Sequence, residues 1–178
     1  MLASSVFISC HSTIALEFRM KAYGFFLLAF AVHPGGTSAQ TSHREPVPMQ
    51  ATGTFDVKVA PQNADNEPAK ASGAGRLSID KQFHGDLEGT GQGEMLPAGD
   101  GSQSGAYVAI EKITGSLQGR SGSFLMVHRA LMVQGTPQEW TVVVVPDSGT
   151  GALEGLSGSM QIIIAGGKHS YDFNYTLE

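Results

Sequence analysis

After residue 52 the chain alternates apolar and polar residues in runs punctuated by glycine. Period-two alternation puts successive side chains on opposite faces of an extended strand, so each run predicts a strand with one buried face. The runs are Gly53–Val59, Gly75–Phe83, Asp86–Leu96, Ala106–Leu117, Ser123–Val133, Glu139–Val145, Ser159–Ala165 and His169–Leu177, eight in all. No segment sustains the i, i+3, i+4, i+7 spacing of an amphipathic helix, and the glycines within Ala152–Gly158 would fray one. The chain reads as all-β.

Short connections such as Gly119–Gly122 and Gly166–Gly167 favour antiparallel neighbours, because parallel pairs need crossovers of a dozen or more residues. Eight strands in meander order can close into an antiparallel β-barrel, which removes exposed edges and leaves an interior that side chains fill or that holds one small ligand. A β-sandwich is the alternative that alternation alone leaves open. Residues 40–51 read as a flexible tail and Ala60–Ala71 as a long loop, both rich in Gln, Asn, Pro, Ser and Ala without a period. The barrel domain is placed at residues 52–178.

The N-terminal region reads as a leader, residues 1–39. Arg19, Met20 and Lys21 form a basic start, Ala22–Val32 is an apolar run of eleven residues, and His33–Gly36 breaks it before Thr37-Ser38-Ala39. That is the order of a signal peptide, with cleavage expected near Ala39 and the mature chain secreted or periplasmic. Eleven residues rise only about 16 Å as a helix, against a hydrocarbon core of roughly 30 Å, so no permanent membrane span is expected there. Met20 makes a more conventional beginning than Met1. Cleavage would remove Cys10, leaving no thiol, no disulfide and no cysteine-based metal site.

Net charge reinforces the reading of an ordinary soluble domain: 178 residues carry −5, and the segment from Gln40 onward carries −6 from nine basic and fifteen acidic residues. Nucleic-acid binders concentrate Lys and Arg to replace phosphate counterions, whereas here the basic residues are scattered and outnumbered. A nucleic-acid partner is not expected.

Strand parity selects the polar residues that would face inward. Tyr107, Ala109, Glu111 and Ile113 share one face of their strand; Phe124, Met126 and His128 share another; His169, Tyr171, Phe173 and Tyr175 share a third. The candidate ligand pocket is therefore Glu111, His128, His169 and Tyr171, with Tyr107 and Phe124. A carboxylate beside imidazoles in an apolar interior suits general acid/base work, since burial and mutual charge move both toward neutral pKa values. The same residues equally suit a structural network whose members satisfy one another. Glu111, His128 and His169 could also form a two-histidine, one-carboxylate metal triad, but no metal-ligand spacing accompanies them and no metal or cofactor is expected.

Other motifs carry less. Gly89-Thr90-Gly91-Gln92-Gly93 and Gly149-Thr150-Gly151 lack the strand-loop-helix setting of a phosphate loop and read as turns and strand kinks. Ser148 has no nucleophile elbow or triad partners. Trp140 opens a valine run as a core residue, with a ligand platform as the minority reading.

The connector GTGALEGLSG, Gly149–Gly158, resembles the GTG-x-hydrophobic-x-x-x-x-G element of allene oxide cyclases and dirigent proteins. Across Thr52–Leu177 the blocks GTFDVKV, GRLSIDKQFHGDLEGTGQGEML, GAYVAIEKITGSLQGRSGSF, VVPDSGTGALEGLSGSM and GKHSYDFNYTL resemble the bacterial family numbered 3224 among domains of unknown function. The resemblance implies an allene oxide cyclase-like closed barrel and so supports closure over the sandwich. It implies neither cyclase nor dirigent chemistry, and catalytic residues stay unassigned. Three classes remain: a module binding a small apolar molecule in the barrel, an isomerase or cyclase, and a structural or partner-binding barrel.

Overall fold

A computed structural model describes residues 47–63, 65–99 and 103–178. Eight strands form one closed antiparallel barrel: β1 Met49–Pro61, β2 Leu77–Gly85, β3 Leu87–Gly99, β4 Ser104–Leu117, β5 Arg120–Val133, β6 Thr136–Val144, β7 Leu156–Ala165 and β8 Lys168–Leu177. Each pairs with the next in sequence, and β1 pairs with β8 from Met49↔Tyr175 to Phe55↔His169. All eight expected strands are present, and the barrel, not the sandwich, is the architecture.

Three of the hairpins turn on two residues with positive φ: Gln118-Gly119, Gln134-Gly135 and Gly166-Gly167. Two successive left-handed residues match the right-handed twist of the flanking strands, so these turns fix the register of the meander.

Two expectations are corrected. The sequence places the tail through residue 51, yet β1 begins at Met49, and Ala51 is fully buried in register with Phe173 of β8. The loop Ala60–Ala71 contains one short helix, α1 Glu67–Ala71, started by Asn66 Oδ1 accepting from the Ala69 N–H at 2.9 Å with proline in its first turn. Such a cap satisfies one of the orphan N–H groups of a helix start, a local signal that periodicity cannot see in five residues. The leader, with its signal peptide and cleavage near Ala39, lies outside the described residues. No helix among the described residues is long and apolar enough to cross a membrane.

The two ends of the barrel differ. One end is packed solid by Leu87, Leu117, Phe124, Leu153 and Phe173, all buried, with Phe124 stacked on Phe173 at 5.9 Å between centroids. Leu153 arrives on a single 3₁₀ turn, Gly151–Leu153, inside the glycine-rich connector. That connector is held to β5 by Leu125 N–H donating to Ser148 Oγ at 3.0 Å and Ser123 N–H donating to Thr150 Oγ1 at 2.9 Å. The other end is open.

Candidate functional site

The open end holds a cavity of about 300 Å³ lined by Val57, Ile79, Met95, Tyr107, Ala130, Trp140, Ile162 and His169, among others. These residues lie on the inward faces near the strand ends, and almost all are apolar or aromatic. A larger groove of about 810 Å³ runs beside the rim along Thr54, Asp56, Lys58, Asp80 and Gln82, and shares Phe55, Val57, Lys81 and His169 with the cavity. About half of its wall is polar, whereas that of the cavity is almost wholly apolar, so the cavity is the better candidate for holding a small apolar molecule.

Beneath the cavity lies a buried polar network that links three strands. Lys81 on β2 donates to Glu111 Oε2 on β4 at 2.6 Å, and His128 Nε2 on β5 lies 3.0 Å from the same oxygen. The three residues are 6%, 0% and 4% exposed, and they are the buried polar or charged residues of the described core. His128 is near enough for an ion pair, but the approach of its ring nitrogen does not meet hydrogen-bond geometry. Burial alone would raise the Glu111 carboxyl. His128 and the Lys81 ammonium outweigh it and hold Glu111 below the usual carboxylate range. The ammonium also lies 4.9 Å from the Phe55 ring centroid and 5.6 Å from that of Phe83, which adds cation–π attraction.

The glycine run of β3 makes this network possible. Lys81 is in register with Gly91, and Glu111 with Gly93, so the lysine reaches over the intervening strand to its partner. Two strand spacings separate β2 from β4, about 10 Å. Any side chain at Gly91 would occupy the crossing: a Cβ there would collide with Glu111 Oε1 and lie 2.9 Å from the Phe83 ring. Gly89–Gly93 lies within β3, inside the strand expected over Asp86–Leu96, and gives that strand a bare inward face rather than a turn.

The structure brings together some of the sequence-derived candidates and separates others. Glu111 and His128 meet. Tyr107 and His169 line the cavity, with the His169 ring 5.1 Å from Phe55, but His169 does not join the Glu111 network. Tyr171 faces the interior elsewhere: its hydroxyl accepts from the Leu87 N–H at 2.9 Å and donates to the His84 carbonyl at 3.4 Å, tying β8 to the β2–β3 turn. Phe124 belongs to the closed end. The single pocket expected from parity is therefore split into three levels. No group of three His, Cys, Asp or Glu able to hold a metal ion occurs among the described residues.

Lys81 was missed, although its neighbours Ile79 and Phe83 share its inward parity and mark it as an interior lysine. Trp140 packs against the core, as its default reading has it, and also lines the cavity; its Nε1 is buried without a hydrogen-bond partner among the described residues. Burial pushes the Tyr107 hydroxyl up, and the nearby Trp140 indole tempers that shift without the two meeting hydrogen-bond geometry.

Comparison with curated proteins finds no match. A solved crystal structure at 1.84 Å, of a protein with unknown function from the DUF3224 family of Shewanella oneidensis, is similar at 42% identity. The likeness has a TM-score of 0.66 and covers 74% of this chain and 99% of that one. The model of the family described as "Protein of unknown function (DUF3224)" matches residues 51–175, the whole barrel but for its outermost ends, and the chain belongs to that family.

Proposed function

We propose that the protein is a binding module that holds a small apolar molecule in the open end of its barrel. The observation that carries this reading is the cavity of about 300 Å³, whose wall is apolar and aromatic while the opposite end of the barrel is packed shut. Pockets of this volume and lining suit small ligands. The buried network below it supports a structural floor: Lys81 and Glu111 neutralise one another, and Glu111 Oε1 is turned toward the backbone of Gly91.

An isomerase or cyclase is the second reading, favoured by one observation. Lys81 lines the cavity while bonded to a buried carboxylate, which could pass a proton to or from a bound molecule. Glu111 itself does not line the cavity, which favours binding over catalysis in this reading. The basic, apolar and small-residue order of residues 19–39 supports export to the periplasm or the exterior, where peptide mapping from the natural host is expected to find an N-terminus near Gln40.

Native mass spectrometry of protein purified from its own host tests the binding reading. A retained small molecule is expected, and Ala130→Leu, which fills the cavity from β5, is expected to expel it. Absence of retained mass, together with no uptake of the neutral fluorophore N-phenyl-naphthylamine, would leave the barrel as a structural or partner-binding protein.

A further inference from the structure

We infer that the outer face of β3–β6 toward the open end is the surface on which a second copy of this chain docks, independently of what the cavity holds.

The outside of the barrel is polar on one side and apolar on the other. On β1 the outward residues are Thr54, Asp56 and Lys58, and on β8 they include Asp172 and Asn174, as expected of an antiparallel sheet with one solvated face. β4 and β5 break that rule. Ala106–Ile110 and Ala130–Val133 are unbroken apolar runs, the pattern of strands covered on both faces, yet full burial is confined to inward residues such as Ala109 and Ala130. Leu96, Val108, Ile110, Leu131 and Val133 point outward and are 40–58% exposed. Register makes them one patch: Leu96 pairs with Val108, and Ile110 continues through Val127 to Val143 on β6. The patch measures about 14 Å across three strand spacings and about 20 Å along β5. That footprint suits the apolar centre of a standard interface, which with its polar rim covers about 800 Å² per partner.

Charge selects the occupant. Arg129 lies in the middle of the patch, in register with Val108, and donates to Glu139 Oε2 at 2.6 Å; both side chains are about half exposed. A bilayer covering this face would have to take the ion pair into hydrocarbon, whereas protein interfaces are enriched in arginine. A lipid surface is therefore the poorer fit. The chain carries −5, so two copies repel one another unless they meet on a face where charge cancels, as Arg129 and Glu139 cancel here. A two-fold axis near Arg129 sets each guanidinium beside the other copy's Glu139, so the patch is complementary to itself.

Sedimentation velocity of the protein purified from its own host is the test. At tens of micromolar the wild type is expected to sediment as a dimer, and its melting temperature should rise with protein concentration. Val108→Lys puts a charge at the centre of the patch and should weaken association at least about tenfold, with the β-sheet circular dichroism spectrum retained. Thr54→Lys alters an exposed outward residue on β1, across the barrel from β5, and should leave the dimer intact. Arg129→Glu and Glu139→Arg should each weaken self-association, and an equimolar mixture of the two should recover a dimer containing one copy of each. A wild type that stays monomeric overturns the inference, as does a dimer that folded Val108→Lys leaves intact or that Thr54→Lys breaks. A mixture of the charge-reversed variants that stays monomeric overturns the self-complementary placement. A monomer that sediments with phosphatidylcholine vesicles, and ceases to in Val108→Lys, overturns the second copy and gives the face to lipid.

Discussion

Lys81 Nζ lies 2.6 Å from Glu111 Oε2 across a strand that presents no side chain at the crossing. The pair is buried, so its members depend on each other more than a surface pair would. Lys81→Met should cost about 3–5 kcal/mol, because it leaves Glu111 charged and supported by His128 alone. Adding Glu111→Gln should recover part of that loss, since the stranded charge is then gone. Urea unfolding of both single variants and the double variant gives the coupling; additive losses would show that the pair does not act as a unit.

Gly91 is required by space rather than by backbone conformation. Its alanine variant should lose about 1–3 kcal/mol as Glu111 and Phe83 give way to the new methyl. Gly119→Ala is the contrasting variant: nothing lies within 4 Å of its Cβ position, and its φ of +83° is the whole difficulty. Its loss should be about 1 kcal/mol, and it should leave the pocket residues undisturbed. A Gly91 variant as stable as wild type in denaturant would show that the Lys81–Glu111 crossing tolerates a side chain beneath it.

How much of this was legible depends on range along the chain. Parity assigned Tyr107, Glu111 and His128 to the interior because period two is a local property of each strand. Parity says nothing of depth along the barrel axis, which is why Phe124 and Tyr171 were grouped with a cavity they do not line. Depth is set by the stagger between strands, a non-local quantity. Lys81 was overlooked because an isolated lysine reads as solvent-facing; only the bare glycine face of β3, seen beside β2 and β4, shows what it reaches.

Acid should weaken the fold through Glu111. Burial favours its neutral form, but His128 and Lys81 prevail and lower its pKa in the folded protein, so the folded state binds this proton less readily than the unfolded chain. The contribution is fully present above the unfolded value of about 4.3 and is lost as pH falls through the lower folded value. Urea midpoints should be level from neutral pH to about pH 5 and decline below it, with a shallower decline in Glu111→Gln. A Glu111-dependent gain in stability on acidification would mean that the carboxyl is held neutral in the fold.

The weakest seam of the barrel lies between β6 and β7. A single registered pair, Val143↔Ser159, joins these strands, whereas β4 and β5 are paired from Ser104↔Val133 to Leu117↔Arg120. Beside that pair an opening of about 390 Å³ is lined by Trp140, Thr141, Gln161 and Ile162, and Trp140 and Ile162 also line the end cavity. Strand backbone left without ladder partners opens at low free energy, so amides on the facing edges of β6 and β7 should exchange with solvent first. Those shared between β4 and β5 should exchange last. Native-state hydrogen exchange resolved by strand reads this order. If a molecule seats against Trp140, its binding should slow exchange at the seam more than elsewhere, because the same wall serves both spaces; uniform protection of all eight strands would remove the seam as a point of opening.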